Sequence, residues 1–166
     1  MIRVLDIIQE TTADGPGFRT AIYCAGCENR CPGCHNPESW DSNNGSPMST
    51  EELLKIILDD PFADVTFSGG DPMLQPEGFS RLAQAIKANS KKSIWCYTGY
   101  TFEEVMKSPE RRRLLQWVDV LVDGRFIMEK KDESLYFRGS SNQRLIDVKE
   151  SLKKNRAVIY DYDPKK

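Results

Sequence analysis

Short β-rich runs alternate with helical runs from Arg19 to Val148, and this alternation is what most restricts the fold. RTAIYC (19–24), DVTFS (64–68), SIWCYT (93–98), DVLVD (119–123) and RLIDV (144–148) have the branched and aromatic content of strands. Helices fit between them. Ser49 with Glu52 makes a capping box ahead of LLKIIL, Pro76 opens the run FSRLAQAIKA, and Thr101 followed by Glu104 starts a third helix. The pattern predicts an α/β fold of right-handed crossovers with a mostly parallel sheet, either open or curled into a partial barrel. About four or five strands are too few for a closed eight-stranded barrel.

The length of 166 residues fits one domain spanning 1–166, with a tail from about residue 151. A chain that is 39% hydrophobic and 29% charged is an ordinary soluble one, and no apolar run approaches a membrane span. The opening MIRVLDIIQETTADGPGF lacks the apolar core of a signal peptide, so the expected location is cytoplasmic, with no membrane partner. A net charge of -2 gives no basic field for nucleic acid. The basic runs at Arg111 to Arg113 and in KESLKKNR read as solvated faces. No repeat or low-complexity segment is present.

The loops after the first four strands hold the unusual sequences: the cysteine loop (24–37), SGGDPM, TGY and DGRF. Parallel α/β sheets place ligands at the carboxyl ends of their strands, so these four loops are expected to build one site. Cys24, Cys27, Cys31 and Cys34 are spaced C-x2-C-x3-C-x2-C. In a reducing compartment such a cluster points to metal or redox chemistry rather than disulfides. Structural zinc sites often separate two cysteine pairs by a long insert, whereas compressed runs are found around iron-sulfur clusters; both remain open on spacing alone. Cys24 continues the alternation of RTAIYC and can be a small apolar residue at a strand end. Without it, Cys27-x3-Cys31-x2-Cys34 would leave one iron of a four-iron cluster without a protein ligand.

C-x3-C-x2-C after the first strand resembles the signature of radical S-adenosylmethionine enzymes. GPGFRTAIYCAGCENRCPGCHNPESWD, SGGDPM, VDVLVDGRF and RGSSNQR together resemble the activating enzymes of anaerobic (class III) ribonucleotide reductase, over about Asp14 to Asp147. The resemblance implies a radical S-adenosylmethionine partial (βα) barrel in which Cys27, Cys31 and Cys34 hold a [4Fe-4S] cluster. It further implies that S-adenosylmethionine chelates the fourth iron and is cleaved reductively to methionine and a 5′-deoxyadenosyl radical, which takes a hydrogen from a backbone glycine of the reductase large subunit. An electron donor such as reduced flavodoxin is implied with it. The hard chemistry belongs to cluster and cosubstrate, so no side chain is assigned as catalytic.

The same resemblance assigns Ser68, Gly69, Gly70 and Asp71 to the methionine amino group, as glycines permit close approach to backbone. It assigns Asp123 to ribose hydroxyls and Arg125 to the methionine carboxylate, with Thr98 a further contact of that kind. Gly33, Cys34 and His35 are expected near the adenine, where the His35 ring either stacks beside it or orders the loop. Gly33 departs from the commonest radical-enzyme pattern, which has an aromatic residue immediately before the third cysteine. Ser141, Asn142 and Gln143 of RGSSNQR are expected at the site rim. The rival readings are an activase of another glycyl-radical enzyme such as pyruvate formate-lyase, and a zinc-stabilised binding module using all four clustered cysteines.

Overall fold

The structure, a computed structural model, describes residues 1–29, 31–34 and 37–164. Its elements run β1 (Ile2–Thr11), β2 (Arg19–Cys24), β3 (Ser46–Met48), α1 (Thr50–Asp59), β4 (Asp64–Gly69), α2 (Pro76–Asn89) and β5 (Ile94–Tyr97), then α3 (Phe102–Met106), α4 (Pro109–Leu115), β6 (Val120–Asp123), β7 (Arg144–Asp147) and α5 (Val148–Lys154). One open seven-stranded sheet has the order β3-β1-β2-β4-β5-β6-β7.

The parallel core is the expected one: β2, β4, β5 and β6 pair side by side in parallel. Both flanks differ from the expectation. β1 and β3 extend the sheet antiparallel on one side, and β7 joins β6 antiparallel on the other. The sheet is therefore mixed, and RLIDV is a strand that runs opposite to its neighbour. β1 exists because Ile2 and Val4 alternate into the core while Arg3 stays exposed, the half-buried pattern of a strand with one solvated face.

The helix starts follow the local sequence. Ser49 and Glu52, and Thr101 and Glu104, form complete capping boxes, each satisfying backbone donors that the first helical turn leaves without partners. Such a cap stabilises by about 1 kcal/mol. Pro76 occupies the first turn of α2, where its missing N–H costs nothing. The sequence expectation had no helix at Pro109–Leu115. Ser108 caps it and buried Leu114 and Leu115 anchor it, so the Arg111 to Arg113 run belongs to an amphipathic helix. α5 likewise orders part of the tail, with Asp147 as its cap.

Strand alternation assigns the two faces of the sheet different tasks. Ile22, Cys24, Val65, Phe67, Ile94, Cys96, Leu121 and Ile146 share a core with Leu53, Ile57, Phe79, Leu82, Ile86, Val105 and Leu114 from the helices. On the opposite face Trp95, Val120, Val122 and Leu145 form a smaller cluster with Tyr97, Phe137, Tyr160 and Tyr162. Buried Arg19 stiffens this face: its guanidinium lies 5.5 Å from the Trp95 ring centre and donates to Thr66, Pro16, Val65 and Ser93. Among the described residues no helix is long and apolar enough to cross a membrane.

Candidate cofactor site

A cavity of ≈ 890 Å³ opens on the face away from the helices and reaches the carboxyl edge of the parallel strands. All four singled-out loops line it: Cys27, Cys31 and Cys34; Ser68, Gly69 and Gly70; Thr98 and Gly99; and Gly124. Gln143 completes that rim. Tyr23 from β2 and Tyr97 from β5 form the wall below, together with Asp14.

The four clustered cysteines divide in two. Cys24 is 0% exposed and packs in the helix-side core, where burial pushes its thiol up, against the thiolate that a metal requires. Cys27, Cys31 and Cys34 are half-buried and face the cavity. A tight turn joins the last two, with the Cys34 amide donating to the Cys31 carbonyl at 3.1 Å. Among the described residues no three His, Cys, Asp or Glu side chains converge around a point suited to a single metal ion. Three soft thiol donors on one cavity wall fit a multi-iron cluster, in which each thiolate goes to a different iron.

The glycine-rich edge is fixed by backbone. The Gly70 amide donates to the Cys24 carbonyl at 2.7 Å and the Asp71 amide to the Gly26 carbonyl at 2.8 Å, which sews this loop to the start of the cysteine loop. Gly69 has φ +97, and a Cβ there would run into the Cys24 backbone, so the two strand ends approach as closely as glycine allows. Gly33 faces the side chains of Met128 and Phe126.

Asp71 turns its carboxylate inward. It accepts from the Gly99 amide at 2.9 Å, Thr98 Oγ1 at 3.0 Å, the Met73 amide at 3.0 Å and Asn29 Nδ2 at 3.2 Å. Burial raises it to about 6, against the opposing pull of those donors. Asp71 thus ties three loops together beneath the cavity, and Thr98 is one of its partners.

Asp123 also points away from the cavity, for a reason of register. Leu121 faces the helices, so Asp123, two residues on, does as well. Its carboxylate accepts from the Phe102 amide at 2.7 Å and from Arg144 Nε at 3.1 Å. Exposed Arg125 bonds through Nε to Asn29 Oδ1 at 2.9 Å. Of the rim segment, Gln143 both lines the cavity and braces it, accepting from the Gly139 amide and donating to the Gly124 carbonyl. Asn142 donates to the Arg125 carbonyl, and the Ser141 amide bonds to the Lys130 carbonyl. His35 and Asn36 lie outside the described residues.

Sequence reasoning did not single out Asp14, Tyr23, Asn29 or Tyr97. Tyr23 donates to Asp14, and burial followed by that bond pushes the Tyr23 hydroxyl up. The signal for Tyr23 and Tyr97 was strand parity, since each alternates with a helix-facing cysteine, Cys24 and Cys96.

The family model for a 4Fe-4S single cluster domain matches residues 13–146. The chain is 40% identical over 139 residues to the anaerobic ribonucleoside-triphosphate reductase-activating protein of Vibrio cholerae, covering 78% of this chain and 88% of the relative. It belongs to that family. Two further anaerobic ribonucleoside-triphosphate reductase-activating proteins show how widely the family extends. That of Escherichia coli (strain K12) is 36% identical over 139 residues, with 78% and 88% covered, and that of Enterobacteria phage T4 is 36% identical over 138 residues, with 80% and 85% covered. The match to the 4Fe-4S model includes Cys27, Cys31, Cys34, the glycine-rich edge and Asp123.

Proposed function

We propose that this member of the reductase-activating family carries a [4Fe-4S] cluster on Cys27, Cys31 and Cys34. It uses S-adenosylmethionine in the adjoining cavity to install a glycyl radical on the anaerobic ribonucleotide reductase. The observation that carries this reading is the division of the cysteines: three line one cavity with the glycine-rich edge, while Cys24 is buried in the core. A four-thiol zinc site would have to extract Cys24 from that core. The names of the relatives favour the reductase as partner over another glycyl-radical enzyme.

When bound, the cluster would supply an electron to the sulfonium at an iron without a cysteine ligand. The residues of the chain bind and orient. Ser68, Gly69 and Gly70 would offer polar backbone to the methionine end, and Gln143 and Gly124 would border the opposite rim. Tyr23 and Tyr97 would wall the pocket from below and limit water beside the cosubstrate. Asp71 and Arg125 act in this reading by holding the loops that make the pocket, while Asp123 ties β6 to the start of α3 and to β7 on the helix side of the sheet. A parallel strand core with its cavity opposite the helices supports a partial-barrel description, and an open sheet leaves the site accessible to a protein loop. A cytoplasmic location and a flavodoxin-type donor complete the proposal.

The test is anaerobic reconstitution with iron and sulfide, then electron paramagnetic resonance of the reduced protein with and without S-adenosylmethionine, and finally with the reductase. A reduced [4Fe-4S] signal altered by S-adenosylmethionine, followed by a glycyl radical signal on the reductase, is expected. Uptake of zinc with no cluster signal would overturn the reading.

A further inference from the structure

The segment between the first two cavity cysteines is anchored by side chains from loops far away in sequence. Glu28 Oε2 accepts from the Tyr100 hydroxyl at 3.1 Å, in the loop after β5. Asn29 does more. Its Nδ2 donates to Asp71 Oδ2 at 3.2 Å, after β4, while its Oδ1 accepts from Arg125 Nε at 2.9 Å, after β6. It also lies against the loop after β5, since a Cβ built on Gly99 would come within 2.8 Å of Asn29 Cγ. A neutral amide can donate on one side and accept on the other, and here one side meets a carboxylate and the other a guanidinium. Aspartate would put a second carboxylate against buried Asp71, and alanine would lose both bonds.

We propose that Asn29 is a positioning residue for S-adenosylmethionine. Through Asp71, Gly99 and Arg125 it holds the cysteine loop at a fixed spacing from the three loops that form the remainder of the pocket edge. The inference rests on the cofactor reading above and adds to it a coupling between the cysteine loop and the cosubstrate pocket. Asn29 acts through its partners, so its loss should loosen the pocket while the three cysteines still take up iron.

The experiment compares wild type, Asn29→Ala and Asn29→Asp after anaerobic reconstitution. Iron and sulfide content, the reduced resonance signal, and the S-adenosylmethionine dissociation constant are measured on each. Loss of a hydrogen bond to a charged group predicts about tenfold weaker S-adenosylmethionine binding in both variants, with a smaller ligand-induced change in the signal. Iron content and the signal without S-adenosylmethionine should match wild type. Wild-type affinity in Asn29→Ala overturns the inference and leaves the proposed function standing. Iron loss in parallel with affinity loss also overturns it, assigning Asn29 to cluster loading. A wild-type protein that takes up iron but binds no S-adenosylmethionine overturns the proposed function and this inference together.

Discussion

Arg144 grips Asp123 with two bonds across the β6–β7 edge, Nε to Oδ1 at 3.1 Å and Nη2 to Oδ2 at 2.5 Å. The Asp123 side chain is 1% exposed and that of Arg144 32%, so one charge is buried and the other reaches solvent, where it also meets Glu103. The carboxylate beside it raises the Arg144 guanidinium above its ordinary value. Removing Arg144 strands a buried carboxylate. Arg144→Met is expected to lower the unfolding free energy by about 3 kcal/mol in urea denaturation. Since neither residue lines the cavity, Arg144→Met and Asp123→Asn should keep the S-adenosylmethionine affinity of wild type. Weakened binding in Asp123→Asn at full stability would return Asp123 to the pocket.

The cysteines make a four-way comparison. Cys24→Ala should retain iron after reconstitution, at a stability cost of about 1 kcal/mol for the small void left in the core. Cys27→Ala, Cys31→Ala and Cys34→Ala should each lose the cluster signal. Equal loss in all four variants would show that the three-ligand assignment is wrong.

Local signals in the sequence carried further than edge and long-range ones. Ser49 acts with Glu52 and Thr101 with Glu104, each pair three positions apart, so their capping boxes follow from local chemistry alone. The alternation of RTAIYC also separates Cys24 from the cavity cysteines, because parity along a strand is local. The direction of β7 is set differently: its pairing with β6 depends on the segment between them, which periodicity does not describe. Asp123 shows the limit most clearly. Its place at a strand end was legible, but its face depends on which side of the sheet the helices cover. Asn29 is further still from local reasoning, as its two partners stand 42 and 96 positions along the chain.

Asp71 gives a pH signature. Its folded value of about 6 lies above the ordinary carboxylate range, so between pH 5 and 7 the folded state binds more protons than the unfolded chain. Stability from this group therefore falls as pH rises through that window and levels off above it, by about 1 kcal/mol. Asp60, Glu110 and Asp132 are shifted the other way, and their contribution falls as pH drops. Subtracting the Asp71→Asn profile isolates the Asp71 share. A difference between the two profiles that stays flat from pH 5 to 7 would place the Asp71 titration outside this range.

Gly17 and Gly69 separate backbone strain from crowding. Both have positive φ, +73 and +97, so an alanine at either position carries the left-handed penalty of about 1 kcal/mol. A Cβ on Gly17 meets nothing within 4 Å, whereas one on Gly69 overlaps the Cys24 amide nitrogen and lies 2.6 Å from its carbonyl oxygen. Those are backbone atoms of the neighbouring strand and cannot turn aside as a flexible side chain would. Gly17→Ala should therefore cost about 1 kcal/mol in urea denaturation, and Gly69→Ala clearly more, beyond about 2 kcal/mol. Gly69→Ala should also weaken S-adenosylmethionine binding, because relief of the overlap pushes the glycine-rich edge away from the start of the cysteine loop. Equal costs for the two substitutions would show that β2 and β4 can separate at their carboxyl ends without disturbing the pocket.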